Sequence, residues 1–141
     1  MCLPRPGRWL RWLMLAYGVA VFIWLSVEDV STWPVAVFGW SLALLTGILI
    51  TLDKLGGRKL AARRAPVLLG VAGLAVGLGS SVAVTVLMFF KNARHGHLFP
   101  DYPPGMMLAM LERAPAWAAA GGLIGLGLGL GWLALRGEHD E

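Results

Sequence analysis

The sequence predicts an all-α integral membrane protein with four transmembrane helices arranged as two antiparallel hairpins. Three observations carry this. Residues 12–27, 33–52, 66–90 and 114–135 contain no Asp, Glu, Lys, Arg or His, and about 18 apolar residues suffice to cross a bilayer core of about 30 Å as a helix. Charged residues make up only 14% of the chain, where a soluble domain holds about 25%. The basic residues flank the apolar runs instead of sharing one face. Strands are excluded, because lipid tolerates only helices and closed barrels, and four strands cannot close one. Too little chain lies outside the runs for a second domain, so residues 1–141 read as one membrane domain.

The first helix is expected over residues 10–27. Arg11 lies at its start, where a long stem carries the guanidinium back to the interface. Trp9, Trp12 and Tyr17 gather toward one end, and Trp24 and Trp33 toward the other, as aromatic belts do at the two membrane surfaces. Arg5, Arg8 and Arg11 ahead of an apolar stretch also suit a signal peptide. However, Glu28-Asp29-Val30-Ser31 offers no small-residue cleavage pattern, so a retained helix is expected. The single cysteine, Cys2, excludes an internal disulfide and a multi-cysteine metal site.

The second helix is expected over 33–52, with Ser31 or Thr32 as its N-cap and Pro34 tolerated in its first turn. The short connection before it forces the first two helices to run antiparallel. Gly56-Gly57 stops the second helix, and Pro66 opens the third, expected over 66–90. Asp101 or Tyr102 then caps a short amphipathic helix over about 103–113. That helix would lie in the interface with Met106, Met107, Met110, Leu111 and Ala114 on one side and Glu112 and Arg113 toward water. The last membrane helix follows over 115–135, with Trp117 and Trp132 toward its two ends.

Orientation follows from the cations. Arg5, Arg8, Arg11, Lys54, Arg58, Lys59, Arg63, Arg64 and Arg136 lie on one side, nine in all, against Lys91, Arg94 and Arg113 on the other. Nine against three places both termini and the second loop in the cytoplasm. A plasma membrane location is expected. The net charge of +4 is thereby a topology signal, and no nucleic-acid partner is implied. Arg58, Lys59, Arg63 and Arg64 also suit anionic lipid headgroups.

Glycine supplies the most specific packing signal. Gly121, Gly125 and Gly129 are spaced by four and form one seam, while Gly127 and Gly131 form a second about half a turn away. Gly73, Gly77 and Ser81 repeat the spacing on the third helix. Small residues at this interval let membrane helices approach closely. One seam docks helix three and the other is left for another helix or another protein. Residues 125–131, Gly-Leu-Gly-Leu-Gly-Leu-Gly, also resemble the packing helix of proton-translocating rotor-ring subunits. Those subunits need a carboxylate at mid-membrane on the partner helix, and residues 66–90 have none. The proton mechanism therefore has no group to run on.

Chemistry-bearing residues concentrate in the loop after helix three. His95, His97 and Asp101 offer imidazole and carboxylate ligands for a divalent metal, with Met106, Met107 and Met110 as nearby thioethers. Their spacing matches no closed zinc pattern. No Ser-His-Asp arrangement, carboxylate pair or phosphate-cradling loop occurs, and no membrane run holds a histidine to ligate a haem. No cofactor and no enzymatic activity are expected. The expectation is a small accessory or structural subunit of a membrane complex, partnered by the bilayer and by another membrane protein or a second copy. A homo-oligomeric transporter lined by Ser41, Thr46, Ser80, Ser81 and Thr85 is the alternative.

Overall fold

The computed structural model describes residues 7–27, 31–57, 62–96 and 100–137. Five α-helices follow one another: α1 (Arg8–Leu25), α2 (Thr32–Leu55), α3 (Ala65–His95), α4 (Pro104–Glu112) and α5 (Ala114–Gly137). A 3-10 turn over Ala62–Arg64 leads into α3, and the described residues contain no strand. Four spans are long and apolar enough to cross a membrane: Arg8–Leu25, Thr32–Leu55, Ala65–His95 and Pro104–Leu135, the last combining α4 with most of α5.

Local chemistry accounts for most boundaries. Ser31 is extended, and its hydroxyl accepts the Trp33 N–H at 3.4 Å, which starts α2. At the other end the Gly56 N–H bonds the Leu52 carbonyl at 2.8 Å. Gly57 then turns the chain at φ 80°, a left-handed conformation that a side chain disfavours. Proline sits in the first turn of α3, where a missing N–H has no consequence.

The other helix ends lie within one to three residues of the expectation, as where α2 runs on to Leu55, and two differences have tertiary causes. Helix α3 does not stop at Phe90 but continues to His95, because Lys91, Asn92 and His95 all find polar or aromatic partners that let the helix carry them. Gly96, at φ 55°, ends it. The N-cap of α4 is Pro103, with no side-chain cap. Neither Asp101 nor Tyr102 caps that helix, since Asp101 turns to His95 and the Tyr102 hydroxyl to Ser31.

Helix α3 is the centre. In its most apolar window 28% of residues are buried, against 11% in α1 and in α2, so the outer helices spend most of their surface on whatever surrounds the protein. Helix α5 packs along α3 with opposed numbering: Gly77 meets Trp117, Gly73 meets Gly121, and Pro66 meets Gly129. On another face Gly39 meets Val84 and Gly47 meets Val76, so α2 also runs against α3. Helix α1 touches the rest through large rings. Tyr17 and Trp24 lie 6.1 and 5.2 Å from the Phe38 ring, and the Tyr17 hydroxyl donates to the Phe38 carbonyl. The buried apolar cluster of Trp24, Val35, Val84, Leu87, Met88 and Tyr102 sits at the end where α1 and α3 finish and α2 begins.

Candidate functional site

That end of the bundle also gathers the buried polar chemistry. Met88 and Lys91 are both 0% exposed, as is Tyr102. Lys91 Nζ lies 4.3 Å from the centre of the Trp24 ring, and one turn on, the Arg94 guanidinium stands 5.1 Å from the Phe22 ring. Each is within the distance at which a cation is attracted to an aromatic face. Both rings belong to α1, so the last turns of α3 hold the end of α1 by cation–aromatic contact.

Asn92 fastens the segment before α4. Its side-chain N–H donates to the Tyr102 carbonyl at 2.7 Å, and its side-chain oxygen accepts the Tyr102 N–H at 2.9 Å. The amide thus pairs with a backbone unit as a neighbouring strand would. The Tyr102 hydroxyl donates to the Ser31 carbonyl at 2.9 Å, across 71 positions of sequence. Tyr102 therefore ties the start of α2 to the end of α3.

Of the candidate metal ligands, the fold brings His95 and Asp101 together, with Nδ1 and Oδ2 2.6 Å apart. His97 lies outside the described residues. Among the described residues no group of three His, Cys, Asp or Glu is placed to hold a metal ion. Two candidate donors are thus joined to each other, in a nearly buried pair.

The glycines divide into two populations. A Cβ added at Gly73 would lie 2.1 Å from the Gly121 carbonyl oxygen. One at Gly77 would lie 2.0 Å from that of Trp117, one at Gly125 2.0 Å from that of Leu69, and one at Gly129 2.3 Å from Pro66 Cα. These are backbone approaches that only glycine permits. Gly121 meets the Gly73 oxygen in the same way, at 2.2 Å. Ser81 is buried, and its carbonyl accepts the Thr85 hydroxyl at 2.9 Å. Gly127 and Gly131 differ: among the described residues nothing stands within 4 Å of a Cβ at either. Two residues turn a helix by about 200°, so Gly127 points away from the Gly125 side that faces α3.

At the opposite end of the bundle, Arg63 and Arg64 are exposed within the 3-10 turn, while Arg58 and Lys59 lie outside the described residues. Two apolar cavities open along the helices. One, of about 500 Å³, lies between α2 and α5 over the face of α3, with Trp40, Ile48, Val76 and Ile124 among its walls. The other, of about 370 Å³, lies between the end of α2 and the start of α3.

Charge counting sets Lys91 among the cations flanking a membrane run, but the residue is fully buried. The signal was present in the spacing. Val84, Leu87, Met88 and Lys91 follow i, i+3, i+4, i+7, so Lys91 holds the next position on the buried stripe of α3.

No protein-family model matches the chain, and no curated protein or solved structure is significantly similar to it.

Proposed function

We propose that this chain is a small, non-enzymatic, multi-pass subunit of a plasma-membrane complex, built as two antiparallel helix hairpins with α4 lying along the interface. Both termini face the cytoplasm in this reading, which rests on nine flanking cations against three. The observation that carries the accessory role is the contrast within α5. Gly121, Gly125 and Gly129 are filled by α3, while Gly127 and Gly131 present an equally smooth face to none of the described residues. Small residues at a membrane helix surface are where another helix packs. Two of the hydroxyls that would line a pathway are taken up by their own helix: Ser80 donates to the Gly77 carbonyl at 2.7 Å and Thr85 to that of Ser81.

The test is purification in mild detergent with identification of what co-migrates. The wild-type chain should run in a complex larger than itself, and Gly127→Leu or Gly131→Leu should release it while insertion continues. Unchanged complex size in both variants removes the interface. Robust solute flux from liposomes holding the purified protein alone would replace the accessory role with transport. The close approach of His95 to Asp101 keeps a second reading open, metal binding with His97. Equal metal content in wild type and a His95→Ala/His97→Ala chain removes it.

A further inference from the structure

Helices α2 and α3 do not stay in contact along their length. Near the start of α2, a Cβ at Gly39 would meet Val84 Cα and N, both at 2.7 Å. Two turns on, a Cβ at Gly47 would meet only the side chain of Val76. Farther on, the space between Ile50, Thr51, Lys54 and Leu55 of α2 and Ala65, Leu68, Val71 and Ala75 of α3 is the 370 Å³ cavity. The two helices therefore form a wedge that closes at the buried cluster and opens toward the basic end.

The walls of the wedge are apolar. The one hydroxyl among them, on Thr51, donates to the Gly47 carbonyl of its own helix at 2.7 Å, leaving a methyl for the cavity. The mouth carries the opposite chemistry. Lys54 lines the cavity and is exposed, and among the described residues no carboxylate lies within ion-pair distance of it. Ala65 lines the same cavity and directly follows Arg63 and Arg64, both exposed. An apolar slot with a cation at its mouth has the polarity of a lipid: hydrocarbon inside, phosphate at the rim. The volume also lies within the usual range of small-molecule sites, about 300–1,000 Å³.

We infer that the wedge between α2 and α3 seats one acyl chain of an anionic phospholipid, with its phosphate at Lys54. Basic residues beside a membrane helix attract anionic headgroups, and the slot adds a chain site that a solvated loop lacks. This inference requires only that the helices lie in a membrane. It does not depend on a partner at Gly127 and Gly131.

Native mass spectrometry of the full chain in mild detergent, with equimolar dioleoyl phosphatidylglycerol and dioleoyl phosphatidylcholine, tests it. The wild-type chain should retain one phosphatidylglycerol in preference to phosphatidylcholine, by about five-fold for one effective charge. Lys54→Gln should bring the two lipids to near parity. Ala75→Phe, at an exposed position on the cavity wall, should abolish retention by filling the slot. Gly127→Leu should leave the lipid in place, which separates this site from the partner surface. Equal retention of both lipids by the wild-type chain, or a preference that survives either Lys54→Gln or Ala75→Phe, overturns the inference.

Discussion

Lys91 and Trp24 form a closed pair: the ammonium sits 4.3 Å from the indole centre, and none of the lysine's surface is exposed. They join the last turn of α1 to the last turns of α3, two helices that otherwise touch little. A cation withdrawn from water is costly unless it is compensated. A desolvated cation–aromatic contact contributes about 2 kcal/mol or more. The contact therefore does more for the attachment of α1 than its small area implies.

Trp24→Leu should lower stability by about 2 to 4 kcal/mol, combining the lost aromatic face with the space left in the buried cluster. Trp24→Phe keeps a ring under the ammonium and should cost about 1 kcal/mol. Among the described residues the indole N–H has no acceptor to lose. Unfolding by SDS titration in mixed micelles measures both. In a double-mutant cycle, Lys91→Met should matter less by about 2 kcal/mol once Trp24 is leucine. Strict additivity would mean that the two side chains are neighbours without attraction.

Asn92→Ala removes both bonds to the Tyr102 backbone at once. Each is a partly buried hydrogen bond worth about 1 kcal/mol, so a loss of about 2 kcal/mol is expected. The local effect should exceed the global one, because both bonds end on the Tyr102 backbone just ahead of α4. Amide exchange at Tyr102 should speed up at least ten-fold in the variant, while amides in the middle of α5 change little. If both regions change together, Asn92 supports the whole bundle and not that segment.

The fold class was legible because lipid imposes a simple rule: an uninterrupted apolar run must be a helix, and its ends must be polar. The four runs, the cap at Ser31 and the stops at Gly56 and Gly57 all follow from local chemistry. The polar end of the bundle was less legible. Charge counting treats Lys91 as a marker of the membrane surface, yet its position on the Val84–Leu87–Met88 stripe places it under Trp24, a tertiary fact. Likewise Asp101 has the side chain of a helix cap and Tyr102 stands just ahead of α4, but their partners are His95 and Ser31 once α3 extends beyond Phe90. Local propensity sees only neighbours in sequence, and these partners come from other helices or from the end of an extended one.

The two glycine populations of α5 make opposite predictions for the same one-carbon substitution. At Gly125 the new methyl would stand 2.0 Å from the Leu69 carbonyl oxygen. Backbone cannot yield as a flexible side chain does, so α3 and α5 must separate along the seam. Overpacking of this kind costs about 1–3 kcal/mol, and here it outweighs the helix-propensity gain of up to about 1 kcal/mol for replacing glycine by alanine. Gly125→Ala should therefore destabilise by about 1–2 kcal/mol. At Gly127 none of the described residues comes within 4 Å of an added Cβ, so only the propensity gain remains, and Gly127→Ala should leave the isolated chain unchanged or up to about 1 kcal/mol more stable. SDS-titration unfolding of the two variants side by side reads the difference. Equal effects would mean that α5 does not approach α3 through the Gly125 face, and the division of its glycines into filled and open seams would fall with it.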